Sequence, residues 1–249
     1  MGSLLNVTPA LGLIVVFLAV GGAAVAWLGH LGHARDILTA SVRATVQLGV
    51  ISLVITWVVG AAAGTAAFLL IMYGVAAVTA GRRISRTNPW PAALPIAAGT
   101  LPVAALLFGA GVAPLKGVVV IPIVGILLGG CLTATALSGA RAMEELTHRR
   151  GEVEAALSLG FLPREANLEI CRPAAARALV PALDQTRTVG LVTLPGAFVG
   201  MLLGGADPLH AGIVQLVVLV ALLAAEAVAV LLTLELVARE HFQKRVPGV

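Results

Sequence analysis

Six stretches of this chain carry no Asp, Glu, Lys or Arg: residues 1–34, 44–81, 87–115, 117–140, 188–206 and 208–225. About 20 apolar residues suffice to cross the hydrocarbon of a bilayer as a helix. In lipid every backbone N–H and C=O must find its partner within the protein, and these runs lack the alternation of a barrel strand, so helices are the form they dictate. The 44–81 run is long enough for two spans, and Gly60-Ala-Ala-Ala-Gly64 near its middle marks the turn. The pattern predicts an all-α integral membrane protein, one domain over residues 1–249 with about seven transmembrane helices. The predicted spans are 9–29, 44–61, 64–81, 92–112, 117–137, 188–205 and 210–236.

Composition removes several functional classes. With only 16 basic and 12 acidic side chains in 249 residues, the net +4 is spread too thinly to form a nucleic-acid-binding face. Lys116 follows Leu115 and Lys244 follows Gln243, so no Gly-Lys-Ser/Thr phosphate loop exists and the chain binds no ATP through one. It is read as a non-enzyme with no bound cofactor and no assigned metal site. The 28 glycines suit helices packed backbone to backbone.

Basic residues accumulate on the cytoplasmic side of membrane proteins. An external N-terminus and an internal C-terminus place Arg35, Arg43, Arg82, Arg83, Arg86, Arg141, Arg149, Arg150, Arg164, Arg172, Arg177, Arg187, Arg239, Lys244 and Arg245 inside, leaving Lys116 outside. Residues 9–29 lack a preceding basic segment, so they read as a retained helix rather than a secretory leader. Cys131 and Cys171 then face a reducing compartment without CxxC spacing, and no disulfide is expected.

Half of all the charge falls in residues 137–187. Met143-Glu144-Glu145-Leu146 continues the fifth span into the cytoplasm, and Val153, Ala156, Leu157 and Gly160 recur at helical spacing. Gly160 ends that pattern. Pro163 followed by Glu165 marks a new helix start, with Pro in the first turn and an acid at the positive end of the dipole. The region is a compact helix–turn–helix with an apolar face that something must cover.

Within it, Glu154-Ala155-Ala156, three residues, Gly160, nine residues, Ile170, one residue, then Arg172 and Pro173 resembles the EAA loop of ABC-transporter permeases. Only Arg172 departs, standing where those loops carry Leu. The runs Arg43-Ala-Thr-Val-Gln-Leu48, Gly129-Gly-Cys-Leu-Thr-Ala-Thr-Ala-Leu-Ser138, Arg187-Thr-Val-Gly-Leu-Val-Thr-Leu-Pro-Gly196 and Gly205-Ala-Asp-Pro208 resemble the FetB family of iron-export ABC permeases. The plant half-transporter permeases of aluminium tolerance are similar. The likeness runs from about residue 40 to about residue 235. It implies a homodimeric permease in the plasma or bacterial inner membrane, exporting iron or a related metal. A separate cytoplasmic ATPase would bind the ATP and Mg, with Glu154, Ala155, Ala156, Gly160, Ile170 and Pro173 in the docking loop. Two departures bear on cargo: Gly130 replaces an Asn of the family, and Phe198-Val199-Gly200-Met201 replaces Met-Thr-Gly-Gln.

Glu226 is the one acid deep in a span, at a cost on the order of 2.5–3.5 kcal/mol on insertion scales. It either serves a cation or proton in the pathway, or is held neutral or paired with Gln47 or Gln215. Gln47, Glu226, Pro195, Gly196 and Gly200 form the candidate substrate pathway, where carbonyls freed at Pro195 and Pro122 line a cavity. Gly125, Gly129 and Gly204 are candidate helix-packing positions, and Val124–Gly130 is echoed by Val199–Gly205. Glu235 reads as an interfacial side chain. His30, His33 and Asp36 read as a helix-end patch rather than a metal cluster, and Asp207-Pro208 as a helix-starting turn. Two other functions keep the same spans: an importer permease for a small solute, and an ATPase-independent channel or secondary carrier using Glu226.

The orientation is directly measurable. A single cysteine at Ala206 is expected to react with a membrane-impermeant thiol reagent on intact cells, and one at Ala155 only after permeabilisation; labelling of Ala155 on intact cells reverses the topology.

Overall fold

The computed structural model describes residues 9–242 and divides into two compact units at the Val58–Val59 boundary. The first holds α1 (Pro9–Leu28) and most of α2 (Ala34–Gly60). The connection between them turns through His30 and Gly32, both with positive φ. At the start of α2, His33 Nδ1 and Asp36 Oδ2 lie 2.9 Å apart, both exposed, and Asp36 sits in the first helical turn where the dipole favours an acid.

The second unit runs through α3 (Ala62–Ile84), a 3-10 turn at Trp90–Ala92, α4 (Ala93–Gly109), α5 (Gly117–His148), α6 (Arg150–Ser158) and α7 (Pro163–Ala176). A further 3-10 turn at Arg177–Leu179 leads to α8 (Val180–Thr188), α9 (Gly196–Leu203) and α10 (Pro208–Ala238). Asp207 caps α10, its Oδ2 accepting the His210 N–H at 3.0 Å. Among the described residues six helices are long and apolar enough to cross a membrane: α1, α2, the 3-10 turn with α4, and α3, α5 and α10. The protein is thus an all-helical, multi-pass integral membrane protein. Lys244 and Arg245 lie outside the described residues.

Two expectations are corrected. The span predicted at 188–205 is not one helix. The Thr188 carbonyl gathers the N–H groups of Leu191, Val192 and Thr193, at 3.2, 2.9 and 3.3 Å, and the helical ladder ends on it. Gly190 takes φ +82, and Pro195, which lacks an N–H, becomes the N-cap of the eight-residue α9. The second correction concerns Pro122, which does not interrupt its helix. It forfeits one backbone bond early in α5, which runs 32 residues in all, and Pro102 is accommodated likewise inside α4.

The core is the junction of α10 with α4 and α5, flanked by α3, with α7 packed against α5 and α10. Its buried residues are mostly small: Ala76, Ala77 and Ala80 of α3, Cys131 of α5, Ala225 and Ala229 of α10. Hydrophobic burial drives little between helices already in oil, so close backbone approach and van der Waals packing hold such a bundle. At Gly99 of α4 a Cβ would fall 2.5 Å from the Ala225 carbonyl oxygen and 2.8 Å from Cys131 Sγ. Cys131 and Cys171 are both buried free thiols. Burial pushes the Cys171 thiol up to about 11, keeping it neutral and a poor nucleophile.

Gly99→Ala therefore forces α4 away from α10. The expected loss is about 1–3 kcal/mol, typical of an overpacked core. It is read as a lowered thermal midpoint in detergent, with Gly109→Ala, at an open position on the same helix, as the control.

Candidate functional site

The helical hairpin outside the spans is built from three local devices. Glu154 of α6 pairs with Arg150, one turn earlier, at 3.0 Å, and Arg149 clasps Glu152, holding that exposed carboxylate below its ordinary range. The helix ends in a Schellman cap: Phe161 N–H donates to the Ala156 carbonyl at 3.2 Å and Gly160 N–H to that of Leu157 at 3.0 Å. That cap places Gly160 at φ +92, where a Cβ is strained. Glu165 then reaches back to the Leu162 N–H at 3.3 Å, and Pro163 opens α7.

The hairpin thus has an inner and an outer side. Ile170 is buried in α7 beside Cys171, Ala174 and Ala175, whereas Pro173 is exposed within the same helix. Glu154 and Ala155 are exposed and Ala156 is half-buried. Around the turn, Leu157, Leu159, Phe161 and Leu162 are all exposed, an apolar cluster in the most charged part of the chain. Isolated exposed apolar residues are ordinary, but a contiguous group marks an interaction surface.

A second feature fastens α7 to the end of α10. Arg164 Nε and Nη2 donate to Glu235 Oε1 and Oε2 at 2.6 and 2.7 Å, and Arg239 Nε donates to the same Oε1 at 2.5 Å. Beside them the buried Asn167 donates from Nδ2 to the Ala238 carbonyl at 3.1 Å. Glu235 is thus an anchor for the hairpin rather than a lone interfacial side chain. Charge patterning alone could not reveal a pair separated by 71 residues.

The third feature lies within the bundle. Glu226 is buried, 7% exposed, and joins none of the ion pairs among the described residues. Its carboxylate occupies the room left by Gly130: a Cβ there would lie 2.5 Å from Glu226 Oε1 and 2.3 Å from Leu222 Cδ1. Elsewhere on α4 and α5 the Thr100 and Thr135 hydroxyls are also buried, Thr100 against the Cys131 thiol and Thr135 with no hydrogen-bond partner among the described residues. By contrast Ser138 and Thr233 each donate to the carbonyl one turn back, at 2.7 Å. The junction of α5 and α10 thus holds one carboxyl group that joins no ion pair among the described residues.

Gln215 does not pair with Glu226. Eleven residues apart on α10, they share a face three turns apart, about 16 Å along the axis. Gln47 is exposed on α2, in the first unit. Pro195 caps α9, and Gly196 and Gly200 are exposed with open space at their Cα. Of the packing candidates, Gly125 meets the flexible end of Met72 at 3.0 Å, Gly129 meets nothing within 4 Å, and Gly204 meets only the backbone of its own turn. The close approaches are instead at Gly81, Gly99, Gly117, Gly130 and Gly139.

These elements define a multi-pass helical membrane protein with a buried carboxyl group at its core and, outside its spans, a helical hairpin with an exposed apolar turn. The chain belongs to the family described as "Uncharacterised protein family (UPF0014)", whose model matches residues 8–242. It is 36% identical over 231 residues to "UPF0014 membrane protein STAR2" of Oryza sativa subsp. japonica, covering 90% of this chain and 79% of that one. It is 36% identical over 217 residues to "Protein ALUMINUM SENSITIVE 3" of Arabidopsis thaliana, covering 86% and 78%. Similarity to "Probable iron export permease protein FetB" of Escherichia coli is 26% identity over 249 residues, covering 96% and 93%. No solved structure matches.

The Arg164–Glu235 pair yields a quantitative expectation. Both partners are partly exposed, so a double-mutant cycle on Arg164→Ala and Glu235→Ala is expected to give a coupling of about 1 kcal/mol. The charge-exchanged double variant should recover part of the stability lost by either reversal alone, as read by thermal unfolding in nanodiscs.

Proposed function

We propose that this chain is the membrane-spanning subunit of an ABC transporter, working as a homodimer and exporting iron or a related metal. ATP hydrolysis is assigned to a separate cytoplasmic ATPase. The observation that carries this reading is the α6–α7 hairpin, with its EAA-type spacing, its Gly160 turn and the exposed apolar cluster at Leu157, Leu159, Phe161 and Leu162. Such a surface suits a groove on a partner protein. The Arg164–Glu235 and Asn167–Ala238 contacts offer a route by which a push on the hairpin reaches α10.

The export direction and the metal cargo come from the Escherichia coli relative's name and are carried over as part of the proposal. Glu226, buried against Gly130 of α5, supplies the polar group such a cargo would meet. The open Cα faces at Gly129, Gly196 and Gly200 suit a second copy of the chain.

The test uses inside-out vesicles containing this chain and its partner ATPase. ATP-dependent accumulation of labelled iron is expected. Ala156→Asp puts a charge beside the apolar cluster, and is expected to leave the chain folded while lowering ATPase co-purification and transport at least tenfold. Survival of both overturns the docking role. Glu226→Gln is expected to reduce iron accumulation; unchanged accumulation makes that glutamate structural, and ATPase stimulation by an organic solute without iron transport removes the metal reading.

A further inference from the structure

Two cavities adjoin on the face of the bundle formed by α3, α4 and α5. The first, of about 580 Å³, lies at the N-terminal ends of α3 and α5 and is bordered by Ala62, Ala66 and Leu69 and by Lys116, Gly117 and Val120. The second, of about 480 Å³, is bordered by Ala66, Leu69 and Tyr73 of α3, Leu101 of α4, and Val124 and Leu128 of α5. Ala66 and Leu69 belong to both, so the two form one groove that starts at Lys116 and follows α5 to Leu128, about 18 Å by helical rise. That is close to one leaflet of hydrocarbon, half of roughly 30 Å. Leu70 and Leu101 on its flanks are 69% and 65% exposed, so the groove opens sideways rather than into the core. Its deep half offers little to water: the Tyr73 hydroxyl donates to the Ala93 carbonyl at 3.0 Å, and the Thr100 hydroxyl lies against the Cys131 thiol.

Lys116 is exposed, is the one charged side chain bordering the groove, and joins no ion pair among the described residues. Residues 44–81 and 87–140 contain no Asp or Glu, so the spanning parts of α3, α4 and α5 supply it with no countercharge. We propose that the groove holds one anionic phospholipid, its phosphate at the Lys116 ammonium and one acyl chain along the hollow between α3, α4 and α5. A hollow left empty in hydrocarbon forfeits dispersion contacts on one side, and an acyl chain restores them without needing a hydrogen bond. Charge selects the headgroup. A zwitterionic lipid brings its own cation to the neighbourhood of Lys116, whereas a lipid of net negative charge brings none. A metal cation is repelled by the same ammonium and finds no set of oxygen ligands among Ala, Leu and Val walls. The lipid is thus a resident of the fold and not the cargo, and the site makes no use of the permease reading.

The experiment titrates the full chain, purified in a mild detergent, with dioleoyl-phosphatidylglycerol and dioleoyl-phosphatidylcholine, and counts retained lipids by native mass spectrometry. The two probes share their acyl chains and differ in net charge. The first phosphatidylglycerol is expected to bind about fivefold tighter than phosphatidylcholine, the worth of one basic residue facing an anionic headgroup. Lys116→Gln should remove that preference and Lys116→Arg should keep it. Ala66 is exposed and borders both cavities, so Ala66→Trp fills the groove without entering the core and should weaken the first binding event for both lipids at least fivefold. Ala67→Trp, exposed on α3 outside both cavities, should leave binding as it is, and thermal midpoints show that all four variants are folded. Equal affinity for the two lipids, a preference that survives Lys116→Gln, or binding unchanged by Ala66→Trp overturns the proposal. Dissociation of a dimer by Ala66→Trp with lipid binding unchanged overturns it in favour of a second copy of the chain in the groove.

Discussion

Everything in the larger unit hangs on the approach of α10 to α4 and α5 closer than side chains normally permit. Gly99 admits the Ala225 carbonyl, and Gly130 admits the Glu226 carboxyl and Leu222. In hydrocarbon there is no hydrophobic gain from bringing apolar helices together, so contact geometry itself carries the association. The same approach makes room for a carboxylate where bulky packing would exclude one. The polar junction and the stability of the bundle are thus one construction.

The spans were legible because charge is excluded from hydrocarbon, and that exclusion is nearly independent of tertiary detail. Boundaries were less so: α2 begins at Ala34 and absorbs Arg35, Asp36 and Arg43, because a helix does not stop where the apolar run stops. The hairpin was read almost residue for residue, since Gly160, Pro163 and Glu165 act locally on the backbone. The 188–205 segment misled because its composition suits a span; the fold of its backbone is decided by Gly190 and Thr188, whose effect no hydropathy scale registers. Glycines that pack could not be told from glycines that do not. Gly129 and Gly130 are neighbours, yet only Gly130 points at α10. Gln215 and Glu226 stand eleven residues apart on one helix, a spacing that places them on a shared face; Pro195 announces an interruption of its helix in the sequence, whereas the turn at Gly190 ahead of it does not.

The hairpin and the junction are linked through two helices that belong to both. α5 carries Gly130 and Cys131 at the junction and leads directly into α6, while α10 carries Glu226 and, two to three turns on, the Glu235 anchor that Arg164 grips. Bidentate guanidinium–carboxylate geometry fixes orientation as well as distance. Relative motion of α7 and the end of α10 therefore requires those hydrogen bonds and the buried Asn167 contact to break together.

The unbroken length of α5 has a mechanical meaning. At 1.5 Å per residue its 32 residues span about 48 Å, against roughly 30 Å of hydrocarbon. About 27 Å of that rod separates Gly130 from His148, with no proline between them. Beyond Gly130 the rod stays packed: Cys131, Ala134, Ser138, Gly139 and Ala142 are all buried, and a Cβ at Gly139 would lie 2.4 Å from Ile84 Cδ1. A rod held along that length by α3, α7 and α10 cannot swing free of them, so the end of α5 that leads into α6 is tied to the stiff interior, and the two shift together or not at all.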